Sequence, residues 1–144
     1  MKTRKLKQYS SYGLLLFIIV PFSSCKDGSP LGAEMSYRIT IDNSTTKSIF
    51  TFYQLNFPDT NLQENTPFYK VALPQSVTYL QSQEKWENVI NSNSHNVITI
   101  FIMDYDSLQK YGWQTMRSQY KILDRFELTT DSLQKLQWTL TYKK

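Results

Sequence analysis

From Tyr37 onward, apolar residues alternate with polar ones or gather in short runs, and both patterns are typical of strands. Tyr37, Ile39 and Ile41 have polar neighbours, which predicts a strand with one buried face. After the turn residues 43–46, residues 49–55 are dense in β-branched and aromatic side chains and predict a second strand. Because a short turn joins them, we expect these two strands to pair as an antiparallel hairpin.

The middle of the chain is interrupted by the prolines Pro58, Pro67 and Pro74. Since proline cannot donate a hydrogen bond to a sheet, we expect residues 56–80 to be mostly loop with short extended pieces. Ser82 is a candidate helix cap. The short helix after it would place Trp86, Val89 and Ile90 on one face.

The C-terminal third carries the most continuous apolar run. Residues 97–103 are almost wholly apolar, which predicts a central strand that is buried on both faces. Asp106 follows, with Gln109 three residues later, and this capping-box spacing predicts that Asp106 caps a helix. Residues 113–119 are predicted to form a second helix.

Residues 122–128 and 137–142 are the last two predicted strands. The link between them, residues 129–136, is shorter than the roughly twelve residues that a parallel crossover needs, so we expect antiparallel or offset pairing. The predicted fold is therefore α+β. It has a mixed, largely antiparallel sheet of about five strands with short helices packed on it, in a single domain over residues 37–144.

A short sequence repeat links two parts of this region. Residues 106–110, Asp-Ser-Leu-Gln-Lys, recur letter for letter as residues 131–135, at an offset of 25 residues. Phe101 corresponds to Phe126 and Trp113 to Trp138 at the same offset. The pattern predicts two units of strand, cap, short helix and tryptophan. Duplication and convergence on a good capping sequence both explain it.

The N-terminal residues have the order of a secretory signal. A basic start leads into the apolar run 14–20, and Ser23 and Ser24 then precede Cys25, the only cysteine. The apolar run is shorter than the about 20 residues that span a membrane. We therefore expect residues 1–24 to be a signal peptide. In residues 25–36, Cys25 would be the lipidated first residue of the mature protein, followed by a flexible tether.

Two parts of the chain resemble one family. The small residues before Cys25 resemble the relaxed lipobox of Bacteroidetes lipoproteins. The apolar strand 98–104, Trp113, and the stretches 120–126 and 138–142 resemble the pattern of small Bacteroidetes lipoproteins of unknown function. The resemblance implies lipid anchoring in the outer membrane and carries no activity. Lys26 and Asp27 weakly resemble the export signal of surface-exposed members, so surface display stays open.

Removing residues 1–24 changes the electrostatic picture. The whole chain has a formal net charge of +4, but the remaining 120 residues hold 12 basic and 12 acidic residues. A neutral domain gives no support to nucleic-acid binding, which depends on a basic surface. The high pI belongs to the signal segment.

The sequence lacks the residues that several kinds of catalytic or binding site require. His95 is the only histidine and Cys25 the only thiol, whereas zinc sites take several such ligands. A Gly-x-Ser-x-Gly elbow is absent. Of the glycines only Gly112 lies in the domain, so no glycine-rich loop can hold a nucleotide phosphate. We expect no cofactor, metal or nucleotide.

Four sets of residues bear on a possible site. Asp104 and Asp106 follow a buried strand and could divide acid and base roles in an envelope hydrolase, although helix capping also explains Asp106. The tryptophans Trp86, Trp113 and Trp138 are expected in the core. The surface-binding candidates are Tyr53, Tyr69 and Tyr79. The serines that match the Bacteroidetes O-glycosylation pattern are Ser107 and Ser132, which also lie at predicted helix starts.

The leading functional hypothesis is a lipid-anchored envelope protein without enzymatic activity. Such a protein would bind a protein or glycan partner, or serve a structural role, and would contact the membrane only through its lipid. The alternative is the envelope hydrolase that uses Asp104 and Asp106.

Overall fold

The computed structural model describes residues 36–143, and within that range the chain forms seven strands and three helices. These elements are β1 (Tyr37–Asn43), β2 (Ile49–Gln54), β3 (Lys70–Ala72), β4 (Ser76–Ser82), α1 (Trp86–Asn91), β5 (Ile98–Asp104), α2 (Tyr105–Ser118), β6 (Asp124–Leu128), α3 (Thr130–Lys135) and β7 (Thr139–Tyr142). The predicted α+β class is confirmed, but the strand count is seven rather than about five. The predicted signal peptide, the lipidated Cys25 and the tether up to residue 35 lie outside the described residues.

The strands form two sheets, in the orders β4-β1-β7 and β3-β2-β5-β6. The only parallel pair among the described residues is β1 with β7. The predicted hairpin of β1 and β2 is wrong, because the two strands belong to different sheets. Every residue of β2 except Tyr53 is buried. A strand buried on both faces needs a packed layer on each side, and a two-stranded hairpin cannot supply both.

The four-stranded sheet is the middle layer of the fold. One of its faces packs against the three-stranded sheet in an isoleucine-rich core. The principal residues of this first core are Ile39, Ile41, Ile49, Leu80, Ile98, Ile100, Ile102 and Leu140. The other face packs against α2 in an aromatic core of Phe50, Phe52, Leu62, Phe101, Met103, Leu108, Trp113 and Met116. The prediction that the strand within 97–103 is buried on both faces is therefore confirmed.

The expectation that residues 56–80 are mostly loop missed two strands, β3 and β4. Strand β4 alternates in exposure: Leu80 is buried against β1, whereas Val77 and Tyr79 face solvent. Pro74 lies in the turn that precedes β4 and removes no hydrogen bond from the sheet. The prolines thus mark the ends of strands in this segment as well as its loops.

The predicted helix caps are displaced from the true ones. Asp104, not Asp106, is the N-cap of α2, and its Oδ1 accepts a hydrogen bond from the Ser107 backbone N–H at 2.6 Å. In α3 the N-cap is Thr129, whose hydroxyl accepts from the Ser132 N–H at 3.3 Å. In both helices the serine supplies the third N–H, so the residue three positions earlier caps it.

The two copies of the sequence repeat are each followed by a residue with a positive φ. Gly112, at φ 74° and ψ 164°, divides α2 in two, and its second half matches the helix predicted at 113–119. At the same offset Gln137, with a φ of 51°, follows the end of α3. Both units thus run from strand through cap and helix to a left-handed residue and a tryptophan.

Two further predictions need correction. Ser82 ends β4 and does not cap α1, which begins at Trp86 after Lys85 without a side-chain cap. The predicted face is confirmed, since Trp86 and Ile90 are buried and Val89 is half-buried. Strands β6 and β7 do not pair, because α3 carries the chain from one sheet to the other.

Candidate binding groove at the open end of the sandwich

One end of the sandwich, here called the open end, is formed where β1 begins, β2 ends and α1 begins. The Trp86 indole joins these elements, because its Nε1 donates to the Tyr37 carbonyl at 3.2 Å. The Tyr53 ring stands edge-on to the Trp86 ring, with centroids 5.1 Å apart. Two depressions open on either side of this aromatic pair.

The larger depression, here called the Gln54 groove, has a volume of about 600 Å³. It runs between the end of β2, the loop after it and the second half of α2. Its lining residues are Tyr53, Gln54, Leu55, Asn56, Asp59, Asn61, Leu62, Gln63, Glu64 and Arg117. Carboxamides and charged groups dominate this lining.

Three side chains of α2, and that of Tyr120 two residues beyond its end, hold one wall of the groove in place. They donate to four backbone carbonyls of the loop, so the loop is fixed although it has no regular structure. The bonds are Trp113 Nε1 to Gln63 (3.1 Å), Gln114 Nε2 to Glu64 (2.8 Å), Arg117 Nε to Leu62 (2.9 Å) and Tyr120 Oη to Thr60 (3.2 Å). A wall held in this way is largely pre-formed for a ligand.

Gln54 forms the floor of the groove. The residue is only 8% exposed, and its Oε1 has no hydrogen-bond partner among residues 36–143. Thr99 lies opposite it in the register of β2 and β5, and the fully buried Thr99 Oγ1 likewise has no partner in the described range. A buried polar atom without a partner costs about 1–3 kcal/mol. This oxygen is itself inaccessible in the structure, so a ligand can satisfy it only after the Gln54 side chain rotates into the groove.

The charged side chains of the groove have hydrogen-bonding atoms that no other residue in the described range uses. Arg117 uses Nε for the loop, and within residues 36–143 its two terminal nitrogens have no partner. The Asp59 Oδ1 accepts from the Asn61 backbone N–H at 2.9 Å. The Glu64 carboxylate makes no bond in the described part of the chain. The groove therefore contains both donors and acceptors that have no partner within the described range.

The smaller depression, here called the Trp138 recess, has a volume of about 210 Å³. Its lining residues are Tyr37, Arg38, Lys85, Trp86, Glu87 and Trp138. Trp86 is buried at its base, whereas Trp138 is half-buried and exposes part of its indole. The prediction of a core position is therefore confirmed for Trp86 and Trp113, and Trp138 only packs against the edge of the core.

The three predicted surface tyrosines lie in three different places. Tyr53 lines the Gln54 groove. Tyr69 is half-buried, with its ring 5.3 Å from that of Phe50. Tyr79 is 40% exposed on the outer face of the three-stranded sheet, with the Arg38 guanidinium 5.2 Å from its ring. The fold does not bring them together.

The two candidate carboxylates do not line one depression together. The Asp104 side chain caps α2 and lines a shallow depression at the other end of the sandwich, which Asp106 does not line. The carboxylate that shares the surroundings of Asp104 is Asp124. Burial raises the pKa of the Tyr142 hydroxyl above its ordinary value of 10.0, and the nearby charges of Asp124 and Asp104 raise it further. Sequence spacing missed Asp124 because its proximity comes from the pairing of β5 with β6.

The remaining predicted residues have local partners. Ser107 and Ser132 are half-buried in the first turns of α2 and α3, where each backbone N–H is bound by its cap. The exposed His95 Nδ1 lies 2.9 Å from the Ser94 hydroxyl. Residues 36–143 contain no group of three or more potential metal ligands. None of the helices in this range is long and apolar enough to span a membrane.

Sequence reasoning missed Gln54 and Arg117, the two residues that organise the groove. A glutamine at the end of an apolar strand was the available signal, because a strand end that is otherwise apolar has little reason to bury a carboxamide. Comparison with protein-family models, with curated proteins and with solved structures found no match to this chain.

Proposed function

We propose that this chain is a lipid-anchored protein of the bacterial cell envelope, and that its folded part binds a glycan without acting on it. The observation that supports binding most directly is Gln54, whose buried Oε1 has no partner in residues 36–143 and lies at the floor of a groove. Because this oxygen is inaccessible in the structure, a ligand hydroxyl would reach it only after the Gln54 side chain rotated into the groove, and would then recover the free energy lost by burying it.

The mixture of groups in the groove suits a hydroxyl-rich ligand. Sugar hydroxyls both donate and accept hydrogen bonds, and carboxamides match them because each offers two donors and one acceptor oxygen. The groove holds the carboxamides Gln54, Asn56, Asn61 and Gln63. Asp59 and Glu64 add acceptors and Arg117 adds donors.

The same lining favours a glycan over a protein partner. Stable protein interfaces bury about 800 Å² on each side and have an apolar centre. Of the two leucines in the groove, Leu62 is 4% exposed and offers almost no surface. A concave, polar groove is therefore better suited to a small hydroxylated molecule.

The support for the lipid anchor comes from the sequence alone, since Cys25 lies outside the described residues. Its support is the basic start, the apolar run 14–20 and the serines before the single cysteine. The outer membrane is the proposed destination, because the signal resembles those of Bacteroidetes-type lipoproteins.

Binding can be tested with the full chain, purified in detergent, on an array of bacterial, plant and mucin oligosaccharides. We expect the wild type to bind at least one class of oligosaccharide and Gln54→Leu to lose that binding without any fall in its melting temperature. Tyr111→Ala, which removes an exposed ring from α2 outside the groove, is the matched control and should bind normally. Absence of binding by the wild type, or full binding by Gln54→Leu, would contradict the proposal.

The anchor is tested by incorporation of radiolabelled palmitate. Cys25→Ala should lose the label, and Ser24→Ala, which keeps a small residue before the cysteine, should retain it. Protease treatment of intact cells then distinguishes a surface-exposed domain from one that faces the periplasm. Label that persists in Cys25→Ala would overturn the lipid anchor but not the glycan groove.

The hydrolase hypothesis makes a different prediction. An enzyme would release shorter products from the bound oligosaccharide, detectable by mass spectrometry, and Asp104→Asn would stop their release. We expect no products from the wild type. Product formation that Asp104→Asn abolishes would replace the non-enzymatic proposal with the hydrolase.

A further inference from the structure

The Trp138 recess has an unusual backbone. Gln137 and Trp138 are consecutive residues with positive φ, at 51° and 57°. The positive φ of Gln137 is explained by the end of α3, where a left-handed residue commonly closes the helix. The positive φ of Trp138 has no such explanation, since a bulky residue with left-handed backbone dihedrals is an outlier. Strain of this kind persists where the surroundings hold it in place, and it clusters at ligand sites.

The surrounding fold holds Trp138 in this conformation from both sides. Its backbone N–H donates to the Leu133 carbonyl at 2.8 Å, and its carbonyl accepts from the Thr40 N–H at 2.8 Å. These bonds fix the Trp138 backbone, and packing against the first core restrains its indole beside the recess. A fixed aromatic face loses little conformational entropy when a flat ligand stacks on it.

The hydrogen-bonding groups around this indole are unused. In the described part of the chain, the Trp138 Nε1 and the side chains of Lys85 and Glu87 have no partner. By contrast, the indoles of Trp86 and Trp113 both donate to backbone carbonyls. The recess thus combines an apolar face with separate donors and an acceptor, all available to a ligand.

We propose that the Trp138 recess is a second subsite of the glycan groove, where one pyranose ring stacks on the Trp138 indole. The inference depends on the proposed glycan function and deepens it, because it makes the ligand an oligosaccharide rather than a single sugar. The C–H groups of a pyranose face are weakly positive and match the negative face of an aromatic ring. The unused donors and acceptor then bind the hydroxyls at the ring edge.

The groove and the recess meet at two aromatic residues that are in contact with each other. Tyr53 lines the groove, Trp86 lines the recess, and their ring centroids are 5.1 Å apart. An oligosaccharide that occupied both depressions would cross this boundary, with one part at Trp138 and another in the Gln54 groove. The recess volume of about 210 Å³ leaves room for one sugar ring only.

The test is a calorimetric titration of the full chain with mono- to hexasaccharides of the class selected on the array. For the wild type we expect affinity to rise about three- to tenfold when the ligand becomes long enough to reach both subsites. Trp138→Asn should lose this gain, because asparagine tolerates the left-handed backbone but has no ring. Trp138→Phe should keep part of it, and Tyr111→Ala all of it.

The outcomes separate the two proposals. If no oligosaccharide binds the wild type, the glycan function itself fails. If binding depends on Gln54 but Trp138→Asn, still folded by near-ultraviolet circular dichroism, retains the full gain with length, the subsite alone is overturned. Competition by a tripeptide with a central tyrosine, lost in Trp138→Asn, would assign the recess to an aromatic peptide instead of a sugar.

Discussion

The two ends of the sandwich each contain one buried carboxamide, and the fold treats them in opposite ways. Asn43 is fully buried where β1 ends and β2 begins, here called the sealed end. Its Nδ2 lies within hydrogen-bond distance of three backbone carbonyls, and its Oδ1 accepts from the Thr45 hydroxyl at 2.8 Å and the Thr45 N–H at 3.2 Å. Gln54, at the open end, has its Oε1 unpartnered within residues 36–143.

The two ends therefore differ in role. Polar groups at the sealed end stabilise the fold, whereas those at the open end are left for a ligand. At the sealed end, Gln75 adds two further bonds from its Nε2 to the carbonyls of Ser44 and Thr45. Polar groups there join β1, the turn after it and the β3–β4 turn, so a ligand would have to break bonds that already exist. At the open end the bonds are still to be made, and binding there competes with no internal partner. Buried polar groups are normally satisfied, so the exceptions are informative.

The largest effect is expected from Asn43→Ala. The substitution leaves buried carbonyls without a donor and should lower the free energy of unfolding by about 3 kcal/mol. Urea denaturation measures the loss. Asn61→Ala, an exposed residue whose side chain makes no bond in the described range, should change stability by less than about 0.5 kcal/mol. Equal effects in the two variants would remove the distinction between the ends.

A smaller effect of opposite sign is expected from Gln54→Leu. Leucine has a similar size and no polar atom to bury, so it should raise the free energy of unfolding by about 1 kcal/mol. The same urea denaturation applies, with Asn43→Leu as the matched variant at the sealed end, which should be destabilised. A loss of stability in Gln54→Leu would mean that its carboxamide has a structural role.

The smallest effect concerns the pH dependence of the sealed end. Burial and the charges of Asp124 and Asp104 raise the pKa of Tyr142 in the folded state above its ordinary value of 10.0. The folded state therefore holds the proton more tightly, and the resulting stability is complete below pH 10 and is lost as the pH rises through the raised pKa. Tyr142→Phe should show a shallower fall in stability above pH 10 than the wild type.

Urea denaturation between neutral pH and pH 11 provides this slope. Tyr111→Phe removes a hydroxyl from a half-exposed tyrosine at the surface of α2, so it serves as the control and should follow the wild type. Identical slopes for Tyr142→Phe and the wild type would show that this hydroxyl does not titrate differently in the two states.

Much of the fold follows from local patterns, and the pairing of its strands does not. The alternation around Ile39 and the apolar run of β5 identify strands because burial sets their period. The separation of β1 from β2 could not be predicted, because a short turn suits a hairpin and equally a crossing between layers. Strand β4 does not show in the sequence because only one of its faces is buried and prolines lie nearby, which together resemble the pattern of a loop.

The candidate site was less accessible to sequence reasoning. Tyr53 is a candidate because it lies near the proline-rich loops, whereas Gln54 beside it becomes one only when the folded structure leaves its side-chain oxygen without a partner in the described range. The capping role of Asp106 was assigned two residues too late, because the motif contains a second acid at a plausible position. Distances across sheets, such as that from Asp124 to Asp104, depend on register, which spacing along the chain does not encode.

The most direct test of the account compares the side-chain amide signals of Gln54 and Asn43 in one nuclear magnetic resonance titration. The full chain, labelled with nitrogen-15 in detergent micelles, would receive the oligosaccharide selected on the array. We expect the Gln54 amide and the Trp138 indole signals to shift with ligand, while the Asn43 amide signals stay in place. Shifts of Asn43 without those of Gln54 would place binding at the sealed end and contradict this expectation.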